Sequence, residues 1–367
     1  MSEQDPTYEM RLLEVDPDAP IDLPPFVPPK ELLEGKAPRK VRHIFAREDI
    51  DVVNAALVTR RPVLLRGEPG IGKSQLARAV AHQSGRAFVS TVVDARTEPR
   101  DLLYRYDAVR RLGAAQVQGK LPHPSLEALD EAKFVEPGPL WWAFSWKTAL
   151  DQIQEVFRSR GSKEEAPTPW CPLGFNPETD GVVVLIDEID KADPSVPNGL
   201  LEALGQRSFL PMGRTEPIRQ TGPAPLVVIT SNEERTLPGA FLRRCWVREI
   251  RPEGDLAAWL TARGRAHFPD LDEAVVDEAV RQLMVDRGML EGENLTPPGQ
   301  AELIDLLAAL DELGPVTQEK GEGLPEAQLR LLKRLAPFAL KKHPQAQSAA
   351  VSSSRSEAQD EEPSRSS

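Results

Sequence analysis

Apolar and polar positions along this chain change period twice. Over Arg47–Thr59, Ile50, Val53, Ala56 and Leu57 recur on one face, which predicts an amphipathic helix. Residues 63–65 and 88–93 (F-V-S-T-V-V) predict strands, separated by a helical pattern that carries Leu76, Ala79 and Val80. Gly85 is placed to cap that helix. Residues 182–186 are five apolar positions in a row, the mark of a strand buried on both faces. Residues 226–230 predict a further strand, and 247–250 can close the sheet. Strands and helices in alternation predict an α/β domain, a parallel sheet with helices on both sides. Beyond Arg251-Pro252 the period is helical only, over 256–263, 274–286, 299–313 and 328–339. That pattern predicts a small all-helical domain of about four helices.

Both ends read differently. Residues 1–40 are rich in proline and acid, with too little apolar area to order themselves, so they are either a disordered leader or a docking arm. Residues 345–367 are Ser, Glu and Arg with few apolar positions and read as a disordered tail. The expected division is therefore an arm over 1–40, an α/β domain over 41–251, a helical domain over 252–344 and the tail.

Composition narrows the function classes. A formal charge of −12 argues against a nucleic-acid surface as the main partner, because phosphate backbones need Lys and Arg. The two cysteines, Cys171 and Cys245, form neither a disulfide framework nor a zinc spacing, which suits a reducing, cytoplasmic setting. No apolar run approaches the ~20 residues of a membrane span. The start, M-S-E-Q-D-P-T, lacks the pattern of a signal peptide.

Residues 67–74 read G-E-P-G-I-G-K-S, glycine, four residues, then Gly-Lys-Ser. A predicted strand precedes this segment and a predicted helix follows it, the context a phosphate-binding loop requires. Glycines let backbone N–H groups crowd a triphosphate, and the helix N-terminus adds its positive dipole end. Gly67, Glu68, Pro69, Gly70, Ile71, Gly72, Lys73, Ser74 and Gln75 are the candidate nucleotide-binding residues. Lys73 would reach the β- and γ-phosphates, and Ser74 would hold Mg²⁺. Asp187 and Glu188 end the buried strand at the sheet's carboxyl edge, where ligands sit in open α/β folds. Asp187 is a candidate Mg²⁺ residue and Glu188 a candidate general base. Asn232, in T-S-N at the end of the next strand, is a candidate to orient water. Arg243 and Arg244 are either a solvated surface pair or guanidiniums offered to a neighbour's nucleotide. The five scattered histidines form no metal cluster, and His43 is a candidate neighbour of the adenine, or a surface residue.

These elements, in this order, resemble AAA+ ATPases of the MoxR-like branch over about residues 41–342. The phrases that carry the resemblance are L-L-R-G-E-P-G-I-G-K-S, L-I-D-E-I-D-K-A-D, I-T-S-N and A-F-L-R-R-C. It implies a P-loop NTPase domain with a helical lid. It also implies ATP hydrolysis with Mg²⁺, and a homo-oligomeric ring, often hexameric, whose site is completed in trans by Arg244 or Arg243. The role it implies is chaperone-like remodelling of a protein client, with a von Willebrand A domain protein as a partner. The alternative is an ATP-dependent switch or scaffold with slow hydrolysis that recruits a partner.

The separation of Lys73 from Asp187 is long for one strand-helix-strand excursion, so insertions are expected at about 98–142 and 158–181. In the first, Tyr104, Tyr106, Trp141 and Trp142 either grip a polypeptide or pack the insert onto the core. Residues 212–224 are a candidate pore hairpin. The lid segment 295–300 lacks the sensor arginine common in relatives, with Arg330 and Arg334 as possible substitutes.

Overall fold

The computed structural model describes residues 12–24, 41–123, 125–252, 254–293 and 295–340. Contacts divide the chain into two compact units. One contains the residues up to Gly67 and Lys73–Glu249; the other contains Glu68–Gly72 and the residues from Ile250 onward.

The first unit is built on a five-stranded sheet in the order Trp246–Glu249, Val63–Arg66, Leu226–Ser231, Val182–Asp187, Ala87–Val92. Every neighbouring pair is parallel. The apolar runs explain the order. Val182 to Ile186 are all buried, as are Leu226 to Ser231, and these two strands lie inside the sheet. Trp246 and Val247 are exposed, and their strand lies at an edge. The helix Lys73–Gln83 follows the second strand and buries Leu76, Ala77, Ala79 and Val80.

The first expected insertion carries an antiparallel pair, Tyr104–Tyr106 with Val135–Pro137, and a helix, Ala108–Gln118. Trp141 is fully buried and Trp142 is 6 % exposed in the helix Pro139–Phe144. The indole N–H of Trp141 donates to Thr148 Oγ1 at 3.0 Å. These tryptophans are core, and the reading in which they grip a polypeptide does not hold for them. Tyr104 stacks on Phe209 with ring centroids 6.2 Å apart. In the second insertion, the Trp170 carbonyl accepts from the Phe88 N–H at 2.9 Å, tying that loop to the sheet edge. A short antiparallel pair joins Ser208–Phe209 to Ile218–Arg219, so of its two strands only the second falls within the hairpin candidate 212–224.

The proline-rich arm departs from its sequence reading. Pro20–Leu23 forms a strand antiparallel to Val41–Ile44, and Leu13 and Leu23 are buried. The reason is a partner distant in sequence. The Asn54 side chain accepts from the Leu13 N–H at 2.7 Å and donates to its carbonyl at 3.1 Å, as a neighbouring strand would. Residues 1–11, 25–40 and 341–367, and with them the predicted tail, lie outside the described residues.

The second unit contains the helices Leu256–His267, Glu273–Gly292, Gln300–Thr317 and Leu324–Ala339. Val276, Leu283, Leu303, Leu307 and Leu332 form their shared core. Asp255 and Asp272 cap the first two, accepting from the Ala258 and Ala274 N–H groups.

Candidate active site

Parallel register brings four strand ends to one edge. Arg66 pairs with Ser231, and Asp187 with Val92. A strand as apolar as Val182 to Ile186 tolerates its first charge only where it leaves the sheet, so Asp187 emerges at that edge. The phosphate loop leaves Val63–Arg66 on the same side, one strand removed, with Leu226–Ser231 between the two. Ser74, at the start of the following helix, donates its hydroxyl toward Asp187, with Oγ at 2.9 Å from both carboxylate oxygens. Lys73 is 6 % exposed, and its ammonium donates to the Gly67 carbonyl at 2.7 Å. Burial lowers the Lys73 pKa, opposed by the carboxylates of Asp187, Asp190, Glu188 and Glu233. The loop itself needs glycine: Gly67, Gly70 and Gly72 all have positive φ. Gln75 does not point its amide at this cluster; it donates to the Arg42 carbonyl.

Glu188 holds a left-handed backbone, φ 61° and ψ 45°, rare for a residue with a side chain. Its N–H donates to the Thr230 hydroxyl at 2.9 Å, and the same hydroxyl donates to Asp187. Thr230 thus ties both acidic residues to the neighbouring strand. The Lys191 ammonium donates to Glu188 Oε2 at 2.9 Å, and this bond raises the Lys191 pKa. Asp190, only 2 % exposed, accepts from the backbone N–H groups of Asn232 at 3.3 Å and Glu234 at 3.0 Å. It therefore ties the turn after the acidic strand to the turn that carries Asn232. Thr230, Asp190 and Lys191 were missed as site residues from sequence. The alternation T-S-N was the available signal for the first, because positions two apart along an extended chain point the same way.

Lys73, Ser74, Asp187, Glu188 and Asn232 are thus assembled at one sheet edge. Arg243 and Arg244 follow the short helix Gly239–Leu242; both are exposed, and neither guanidinium has a partner among the described residues. His43 lies in the strand Val41–Ile44 and packs edge-on against Phe45 with ring centroids 4.7 Å apart. Hydroxyl and carboxylate oxygens are hard donors, and Ser74 with Asp187 is a set that fits Mg²⁺.

In the second unit the loop residues Glu68–Gly72 contact the helices. Arg287 donates to both Glu68 carboxylate oxygens, at 2.9 and 3.2 Å. A Cβ at Gly70 would stand 2.7 Å from Ala301 Cβ. Arg330 is committed to Glu319 and Glu322. The arginine that meets the loop is therefore Arg287, outside the segment where sequence reading looked for one.

Solved structures of the RuvB Holliday junction branch migration motor from Thermotoga maritima, unaltered and in two variant forms, are similar to this chain at 14% identity. They cover 80% of this chain and 69%, 70% and 69% of theirs, with TM-scores of 0.41, 0.41 and 0.42. No curated protein matches. The family model of the AAA domain, dynein-related subfamily, matches residues 62–245, from the residue before the loop's strand to the residue after the arginine pair. That match spans half of the chain and takes in every element of the cluster, so the chain belongs to the AAA domain family of dynein-related type and is an ATP-hydrolysing enzyme.

Proposed function

We propose that this ATPase uses hydrolysis to remodel or activate a partner protein, in the manner of MoxR-like chaperones, with each active site completed by a neighbouring copy in a ring. The observation that carries this reading is the pair Arg243 and Arg244, exposed and without partners among the described residues, beside site residues that are already tied together. A guanidinium delivered in trans stabilises phosphoryl-transfer charge, an effect worth ~10³ or more in rate. In this scheme Lys73 binds the phosphates. Ser74 and Asp187 hold Mg²⁺, which when bound neutralises phosphate charge. Glu188 takes the proton of the attacking water, and Asn232 orients that water. A hexameric ring and a von Willebrand A domain partner belong to the same proposal.

Specific activity measured against protein concentration tests it. Turnover per chain should rise with concentration and fall sharply in Arg244→Ala, with Arg243→Ala as the comparison. A flat profile down to monomer removes the trans arginine. Glu188→Gln should bind ATP and hydrolyse none; retained turnover reassigns the base. The second reading, a slow switch that recruits a partner, is favoured by Lys191, whose ammonium occupies a Glu188 oxygen. It predicts slow turnover that no partner accelerates.

A further inference from the structure

The sheet has a second edge, where its strands begin. Arg60, Arg61 and Arg207 line one depression there, with Gln220 beside them and Pro62, Phe144, Leu204, Pro225 and Val227 as its apolar wall. All three arginines are exposed. None of the three guanidiniums makes an ion pair or hydrogen bond among the described residues. In a chain with a formal charge of −12 and 57 acidic residues, three adjacent arginines without one carboxylate among them stand out.

Two helices deliver them by the same device. Arg60 closes the helix Arg47–Thr59 and Arg207 closes the helix Ser195–Gln206. Both caps are left-handed, at φ 56° and 51°, a conformation that glycine adopts without steric cost and arginine does not. A cation near a helix C-terminus interacts favourably with the dipole. That accounts for a charge at each cap, but the guanidiniums bond no helix carbonyl, and it does not account for both caps and Arg61 rimming one depression.

We propose that this depression is a docking site for an acidic peptide of a partner protein, carboxylates on the arginine rim and an apolar side chain against the Phe144–Leu204–Val227 wall. The depression is shallow and open, with a volume of about 20 Å³, so it offers a surface to lie against and no cavity that would surround a nucleotide or another drug-sized ligand. Arginine forks match carboxylates bidentately. An extended nucleic-acid backbone needs a longer basic track than three arginines in a chain with a formal charge of −12 provide. The site stands apart from the phosphate loop and does not depend on how ATP hydrolysis is used.

Fluorescence anisotropy on the full chain tests it, with a labelled peptide of glutamates flanking two leucines as the probe. The wild type should bind this peptide and ignore its glutamine counterpart. The triple variant Arg60→Gln, Arg61→Gln, Arg207→Gln should bind it about tenfold or more weakly, the scale of an interfacial charge pair, with basal ATP hydrolysis unchanged. Equal binding by the triple variant, equal binding of the glutamine peptide, tighter binding of a short single-stranded DNA, or full competition by equimolar inorganic phosphate would each overturn the assignment. If the triple variant does not fold, Arg207→Glu alone decides. It must lose the acidic peptide and gain a lysine-for-glutamate counterpart, and failure to do both sinks the site.

Discussion

Ser74 and Asp187 are 113 positions apart in sequence and 2.9 Å apart in the folded chain. The parallel sheet makes that meeting: its strands all end at one edge, and the strand that feeds the loop and the strand that ends in the carboxylate flank Leu226–Ser231 there. An oxygen pair so placed can share one hard cation.

Asp187→Asn should weaken Mg²⁺ roughly 10- to 100-fold, the usual loss when a supporting ligand is removed. The Mg²⁺ dependence of hydrolysis at saturating ATP reads this directly. An unmoved midpoint would take Asp187 out of the site.

Thr230→Val keeps the volume of a side chain that is 1 % exposed and deletes its hydroxyl. The Glu188 N–H and an Asp187 oxygen then lose a partner, at a cost of about 1–3 kcal/mol, and turnover should fall with the loss of Glu188 positioning. Denaturant midpoints and kcat measure the two effects, and Thr230→Ser should restore both. A valine variant as active as wild type would show that the hydroxyl positions nothing.

Glu322 gives a pH prediction. Arg330 donates to both of its oxygens, at 3.0 and 2.8 Å, and with the Glu319 N–H holds its pKa down to about 2 from an ordinary 4.5. A carboxyl depressed in the folded state stabilises above the unfolded value and loses that contribution as pH falls through the folded one. The melting difference between wild type and Glu322→Gln should therefore be full above about pH 4.5 and vanish near pH 2. A difference that stays constant across this window would mean the pair contributes no charge-dependent stability.

Cys245 gives a reporter of the first unit. Burial pushes its thiol up to about 12, while Cys171 is exposed. At pH 8 iodoacetamide should label Cys171 first and reach Cys245 only on unfolding, because the thiolate is the nucleophile. Mass spectrometry of partly labelled protein checks the order; early labelling of Cys245 would contradict its burial.

Much of the site was legible because its chemistry is local. The glycines of 67–74 declare their backbone needs whatever surrounds them, and a run of five apolar residues ending in Asp187-Glu188 declares both a central strand and its polar end. Long-range partners were not legible. Thr230 was read only as the end of a predicted strand, and Asp190 and Arg287 drew no reading at all, since each acts through a residue distant in sequence. Trp141 and Trp142 were ambiguous for the same reason: an indole in an insertion serves packing or grip according to what lies opposite, and here the core does.

By itself the sequence determined the alternation of strands and helices, the phosphate loop and the acidic strand end, because period, glycine placement and charge act within a few residues. Only the tertiary structure decided which strands neighbour each other, that Leu13 and Leu23 of the arm are ordered, and that three arginines from two helix ends share one depression. Those outcomes depend on contacts between segments far apart in the chain, where burial and hydrogen-bond satisfaction are settled jointly.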